Sequence, residues 1–194
     1  MTASRDPLLI DVPERLDGER TLLLAPRAGL GAEMAVVITQ SLSHLRPWMP
    51  WAQDAPTVES AELVVRRMQA DFIARRDLCF QIYARRPDGS PGRLLGGTGL
   101  HRIDWAVRRF EIGYWVRPEA AGQGHVSEAV RLLTALAFGT LGARRVEIRC
   151  DTRNLKSRAV AERCGFALEG VLRSNVLGVD GHPRDTAVYA RIDG

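Results

Sequence analysis

EIGYWVRPEAAGQGHVSEAV, residues 111–130, reads as a strand, a loop with two glycines and the start of an amphipathic helix. Gly122 and Gly124 let the backbone approach a ligand closely. The first amides of a helix have no partner within it, and together with the helix dipole they form a site suited to pyrophosphate. Alone, such a loop is more often a plain turn. The chain has no GKS or GKT, which excludes a Walker-type nucleotide site, and no GxGxxG. Asp151 ends the next strand, but without the third loop glycine it does not make a dinucleotide fingerprint.

The patterning on either side supplies the rest of a sheet. Upstream, Glu19–Ala25 is a short strand stopped by Pro26, and Gly29–Leu45 carries Leu30, Met34, Val37 and Ile38 at helical spacing. Pro47, Pro50 and Pro56 break the chain around Trp48, Met49 and Trp51. Thr57 then caps a helix running to about Arg76. Leu78–Ala84 and the Gly-rich Arg93–His101 are strands joined by the turn PDGSPG, and Val107–Val116 is a third. Downstream come a helix over Ser127–Leu141, a strand over Ala143–Asp151 and a short helix over Asn154–Cys164. The strands Phe166–Val176 and Asp185–Ile192 follow. The expected fold class is α/β, a mixed α+β sheet with a strand–glycine loop–helix–strand unit at its centre. Residues 1–194 read as a single domain, with 1–18 as an N-terminal arm.

Composition narrows the classes. A chain of 194 residues with 45% hydrophobic content builds its own core without a disulfide or metal staple. No apolar run approaches the ~20 residues of a membrane span, and MTASRDPLLI lacks the features of a signal peptide. A cytoplasmic location is expected. Cys79, Cys150 and Cys164 show no CxxC and read as packed thiols. His44, His101, His125 and His182 show no metal-ligand spacing, so no metal is expected. Net charge is +4, and Lys156 is the single lysine, so the positive charge is almost all guanidinium. Guanidinium suits anionic ligands. The Arg pairs are spread along the chain, which reads as solvated surface and argues against direct nucleic-acid binding.

The loop, the preceding EIGYWV and the downstream NLKSRAVAERCGFALEG together resemble the GNAT acyltransferase superfamily. More narrowly they resemble its Rim-type subgroup, which acetylates the α-amine of ribosomal proteins. DGERTLLLAP, SLSHLRPWMPWA and DGHPRDTAVYARI match that subgroup's opening strand, Trp-rich segment and closing strand, so the resemblance spans nearly the whole chain. It implies acetyl transfer from acetyl-CoA (coenzyme A as the carrier) to an amine, with a ribosomal protein N-terminus as the expected acceptor. The pyrophosphate loop falls on Ala121, Gly122, Gln123, Gly124, His125 and Val126. Gly124 fits the superfamily pattern, whereas Ala121 and Val126 depart from it. Trp115 and Val116, through their backbone, and Asn154 and Ser157, as polar helix positions, are the remaining expected cofactor contacts.

For chemistry, the resemblance and the residue types single out Glu111 as the base, against a plain strand glutamate paired with an arginine. Ser157 is the remaining hydroxyl for the leaving thiolate, against a cofactor contact without proton transfer. The superfamily's tyrosine seven residues after the helix asparagine is replaced by Ala161, and the second glutamate of the Rim pattern is absent from RSNVLG. Trp48, Met49 and Trp51 are expected to wall the acceptor cleft. His101 and Asp104 follow a strand and are candidates to line it, although turn polarity is the readier explanation. His125 is expected to face solvent or phosphate, and Arg158 and Arg163 to reach a 3′-phosphate. Three alternatives stay open: a small-molecule amine as acceptor, a larger acyl-CoA as donor, or a non-catalytic acyl-CoA sensor. The arm and final strands are available for a homodimer contact.

Overall fold

The computed structural model describes residues 6–192. Its strands are β1 (Arg15–Asp17), β2 (Thr21–Leu24), β3 (Leu78–Arg85), β4 (Pro91–Asp104), β5 (Arg109–Val116), β6 (Arg145–Asp151), β7 (Ala167–Leu177) and β8 (Pro183–Ile192). The helices are α1 (Gly31–Leu45), α2 (Val58–Ile73), α3 (His125–Gly139) and α4 (Leu155–Arg163). All eight strands join one sheet in the order β1-β2-β3-β4-β5-β6-β8-β7. Every neighbouring pair is antiparallel except β5–β6. A parallel pair needs a crossover, and the glycine loop with α3 supplies it.

Residue alternation sends each strand's side chains to two faces. On one, Phe110 and Ile112 of β5 and Val146 and Ile148 of β6 pack under Val130 and Leu133 of α3. On the other, Leu22, Tyr83 and Leu94 pack against Met34 and Val37 of α1 and Val65 of α2. Helix starts are secured as their sequences suggest. Thr57 Oγ1 accepts from Ser60 N at 3.0 Å, and Asn154 Oδ1 accepts from Ser157 N at 3.1 Å. Helix α1 has no side-chain cap of its own. Glu62 of α2 accepts from Gly29 N and Gly31 N, both at 2.9 Å, and supplies the missing acceptor.

The feature that positions the site is a break in the sheet. Strands β5 and β6 pair only through Arg109–Arg145, Phe110–Val146 and Glu111–Glu147. Beyond Glu111, β5 follows β4 as far as Val116, while β6 follows β8 as far as Asp151. The two strands diverge into a wedge.

The N-terminal boundary departs from expectation. Residues 1–5 lie outside the described residues, but of the stretch read as an arm, Val12 is buried in the core and β1 hydrogen-bonds to β2. Too few apolar residues precede Glu19 to mark a strand by alternation. Strand β4 runs to Asp104, beyond the expected end at His101, and Val107 belongs to the turn before β5. Helix α3 begins at His125, two residues before the expected Ser127. Strand β7 is exposed along its full length and carries Leu168, Val171, Leu172, Val176 and Leu177 into solvent. No helix among the described residues is long and apolar enough to cross a membrane.

Candidate active site

At the N-terminus of α3, Gly122 and Gly124 have φ of +76° and +86°. L side chains resist that conformation, so these positions hold glycine for backbone reasons. The Gln123 side chain donates to Glu119 O and the Gln123 backbone carbonyl accepts from Arg20 Nη1, which fixes the loop's outline. Beside the loop lies a cleft of about 920 Å³, bordered by Arg20, Arg85, Arg131 and Arg163 as well as the loop glycines. Unpaired helix amides ringed by guanidinium groups fit the phosphates of a nucleotide-like ligand. Of these arginines only Arg163 was foreseen from the sequence; the others come from distant elements and carry no local signal. Arg158 instead turns inward and donates to the Tyr189 hydroxyl at 3.0 Å.

His125, the first residue of α3, borders the cleft. Its ring is half-buried, with Nδ1 3.0 Å from Thr21 Oγ1, and burial lowers its pKa. The first turn of α3 packs against β2 and takes the imidazole with it, at the border of the cleft. Val126 packs on the edge of the main core.

A hydroxyl pair spans the wedge on the α3 face. Tyr114 Oη lies 3.0 Å from Ser157 Oγ and donates to the Ser157 carbonyl at 3.0 Å. Burial drives the tyrosine pKa upward, so it holds its proton as a donor. Half-buried Cys150 stands beside Ser157, and its thiol pKa is raised by burial. Tyr114 was missed in the sequence. The superfamily's tyrosine position falls on α4, where Ala161 is fully buried, and nothing local shows that β5 reaches across to that helix. The Asn154 side chain caps α4, which accounts for its polarity at that position.

Alternation places Glu111, Gly113 and Trp115 on the opposite face, toward α1 and α2. Trp115 packs there beside Leu42, Leu45 and Ala52. Glu111 sits at the vertex of the wedge with its side chain only 18% exposed. Its carboxylate lies 3.6 Å from both Arg102 Nη1 and Arg149 Nε. Burial raises its pKa despite these arginines, with Glu147 adding to the rise. A carboxylate so placed is a stronger proton acceptor than one in water.

The Trp-rich segment reaches this face. Trp51, half exposed, meets Trp115 edge to face with ring centroids 5.9 Å apart. Met49 packs against the Leu42–Leu45–Ala52 cluster, and Trp48 is partly buried in the turn. Arg184 ties the segment down: it donates to Pro47 O at 3.4 Å and to Asp151 at 2.9 Å.

His101 is a strand residue of β4, not part of a turn. Its Nδ1 lies 2.9 Å from both carboxylate oxygens of Asp77, and Cys79 Sγ donates to the same carboxylate at 3.0 Å. Asp104 does serve a turn, accepting from Ala106 N and Val107 N at 3.1 Å. Glu111 and His101, separated in sequence by a turn, are direct cross-strand partners.

A model of the acetyltransferase (GNAT) domain family matches residues 21–167. The chain is 35% identical over 162 residues to "Putative ribosomal N-acetyltransferase YdaF" of Bacillus subtilis (strain 168), covering 81% of this chain and 82% of that protein. Among solved structures, the microcin C7 self-immunity acetyltransferase MccE, in complex with acetyl-CoA and AMP, superposes with a TM-score of 0.81 at 26% identity. That match covers 91% of this chain and 94% of the other. Mycobacterium smegmatis RimJ, in complex with CoA-disulfide, gives a TM-score of 0.78 at 27% identity over 89% and 81% of the two chains.

Proposed function

The chain belongs to the GNAT acetyltransferase family and is an acetyl-CoA-dependent N-acetyltransferase, and from that premise we propose that its acceptor is the α-amine of a protein N-terminus, a ribosomal protein in the first instance. The observation that carries this reading is the wedge with Glu111 at its vertex. A phosphate cradle and a hydroxyl pair stand on one face, and a base with an aromatic wall stands on the other.

The loop of residues 121–126, with the arginines around it, holds the phosphates of acetyl-CoA, and the backbone of Trp115 and Val116 guides its arm into the wedge. The acceptor enters from the α1/α2 face, past Trp48, Met49 and Trp51. An amine attacks only when neutral. Reaching neutrality at pH 7 costs a lysine about 4.6 kcal/mol and an α-amine about 1.2 kcal/mol. One half-buried carboxylate meets the smaller demand. Glu111 draws in the ammonium and takes up its proton, directly or through a water. The neutral nitrogen attacks the thioester carbonyl, a backbone amide near Trp115 or Val116 faces the oxyanion, and the C–S bond breaks. The Ser157–Tyr114 pair protonates the departing thiolate. We infer a cytoplasmic location from these substrates.

Thiol release from acetyl-CoA, measured on a panel of peptides with free α-amines and a panel of small amines, tests the reading. Turnover on peptides that collapses in Glu111→Gln supports it. Turnover on small amines alone moves the acceptor to that class. Tight acetyl-CoA binding without turnover on either panel overturns it, in favour of another acceptor or acyl group or of a sensor.

A further inference from the structure

Phosphate binding, the hydroxyl pair and Glu111 leave the Asp77–His101 pair unused. The imidazole lies flat on the sheet over Gly99 and Gly113, which face each other across β4 and β5. A Cβ on Gly113 would stand 2.9 Å from His101 Cδ2 and 3.1 Å from Nε2; one on Gly99 would stand 2.9 Å from Cε1. Two facing positions thus lack side chains where the ring rests. Asp77 accepts from Nδ1 through both oxygens, so Nδ1 carries a proton and, in the neutral ring, the lone pair is on Nε2. Nε2 lies against Gly113, on the same face as Glu111 and two residues along β5 from it.

Charged groups beside Glu111 are Arg102 on β4 and Arg149 and Glu147 on β6; on the other side of the pair the Cys79 thiol of β3 donates to the Asp77 carboxylate, and Asp71 of α2 acts on that thiol. The two arginines contact Glu111. The His101 side chain is 31% exposed, against 18% for Glu111. Of the two groups it has the more open path to water.

We propose that the proton taken from the acceptor amine passes from Glu111 to Nε2 of His101, with Asp77 as the positioning residue. The N–H bond of the ammonium breaks as O–H forms on Glu111. That O–H then breaks as Nε2–H forms, and the imidazolium, paired with Asp77, releases the proton to solvent. Glu111 is returned to its charged form for the next amine. The proposal rests on the reading that the acceptor enters on this face.

The test is chemical rescue. His101→Ala should lower kcat on the α-amine peptide roughly 100-fold. The KM for acetyl-CoA, bound on the other face, should not change. Free imidazole added to the variant should restore turnover in proportion to its concentration, because the vacated space lies over two glycines. Asp77→Asn keeps the ring and should give a smaller loss. Its 15N spectrum of the imidazole should show the Nδ1–H tautomer of the wild type giving way to a mixture. A His101→Ala enzyme at wild-type kcat, or one slowed but indifferent to imidazole, overturns the proposal and leaves the acceptor reading standing. If His101→Ala does not fold, Asp77→Asn with wild-type kcat and an unchanged 15N spectrum overturns it alone. So does a stoichiometric zinc ion bound through Asp77, Cys79 and His101 in the purified protein, since Nδ1 would then carry metal. A wild type that turns over no amine overturns the parent reading as well.

Discussion

The hydroxyls of Tyr114 and Ser157 meet at 3.0 Å across the open end of the wedge, one from β5 and the other from the first turn of α4. Neither side chain has another hydroxyl partner among the described residues, so they act as a unit. Tyr114→Phe and Ser157→Ala should each lower kcat about tenfold with little change in the KM for acetyl-CoA, and the double variant should lose little more than either alone. Tyr114→Phe should also cost about 1 kcal/mol of stability for the lost hydrogen bond. Steady-state kinetics on the three variants and chemical denaturation of the first check this. Fully additive losses would show two independent roles.

Gly124→Ala places a methyl group on a residue at φ +86°. The left-handed conformation costs a non-glycine residue about 1–2 kcal/mol. Part of that strain should be relieved by moving the loop amides off the phosphates. The expected result is weaker acetyl-CoA binding by about an order of magnitude in calorimetry. The corresponding change at Gly139, which has no such φ, should leave binding alone.

Glu111 has a carboxyl pKa raised by burial. The folded protein therefore binds its proton more tightly than the unfolded chain does. Stability from this group is fully present below the unfolded pKa and is lost as pH rises through the folded one. At neutral pH the ionised carboxylate is a burden on stability that the proposed role as base requires. Glu111→Gln should melt at or above the wild-type temperature at pH 7.5 while losing about 100-fold in kcat/KM. A variant both inactive and less stable would point to a structural glutamate.

Asp151 shows the opposite sign. Burial would raise its pKa, but hydrogen bonds from Arg153 and Arg184 outweigh that and hold it down to about 2. Its stabilisation is present above the unfolded value near 4 and is lost as pH falls toward 2. Acid should accordingly loosen the Arg184 link to Pro47. Asp151→Asn should raise the KM for the acceptor at pH 7, leave that for acetyl-CoA unchanged, and flatten the stability loss between about pH 4 and 2.

The centre of the fold was legible because it is written locally. Strand alternation, the Thr57 cap and the two loop glycines each act within a few residues. What escaped the sequence was relational. The Asp77–His101 contact needs the register of β3 on β4. Tyr114 meets Ser157 only because β5 parts from β6. Arg20, Arg85 and Arg131 converge from elements far apart in the chain. Glu111 was identified from the family's pattern, yet its environment depends on Arg102 and Arg149 arriving from two neighbouring strands. The burial of Val12 likewise has no periodic signature in a stretch that pairs through only three residues.

The parting of β5 from β6 also leaves backbone amides and carbonyls of Ile112–Val116 facing a gap where a neighbouring strand would normally stand. Such groups gain from any extended, amide-bearing chain that fills it. In the binding mode proposed above, the acyl donor's arm is a chain of that kind, and it would complete the sheet as well as deliver the group to be transferred. A ligand that binds only the folded form at a hundred times its Kd adds about 2.7 kcal/mol to stability. The enzyme's resistance to heat and proteolysis should therefore track the supply of thioester around it, rising when acetyl-CoA is plentiful and falling when it runs short.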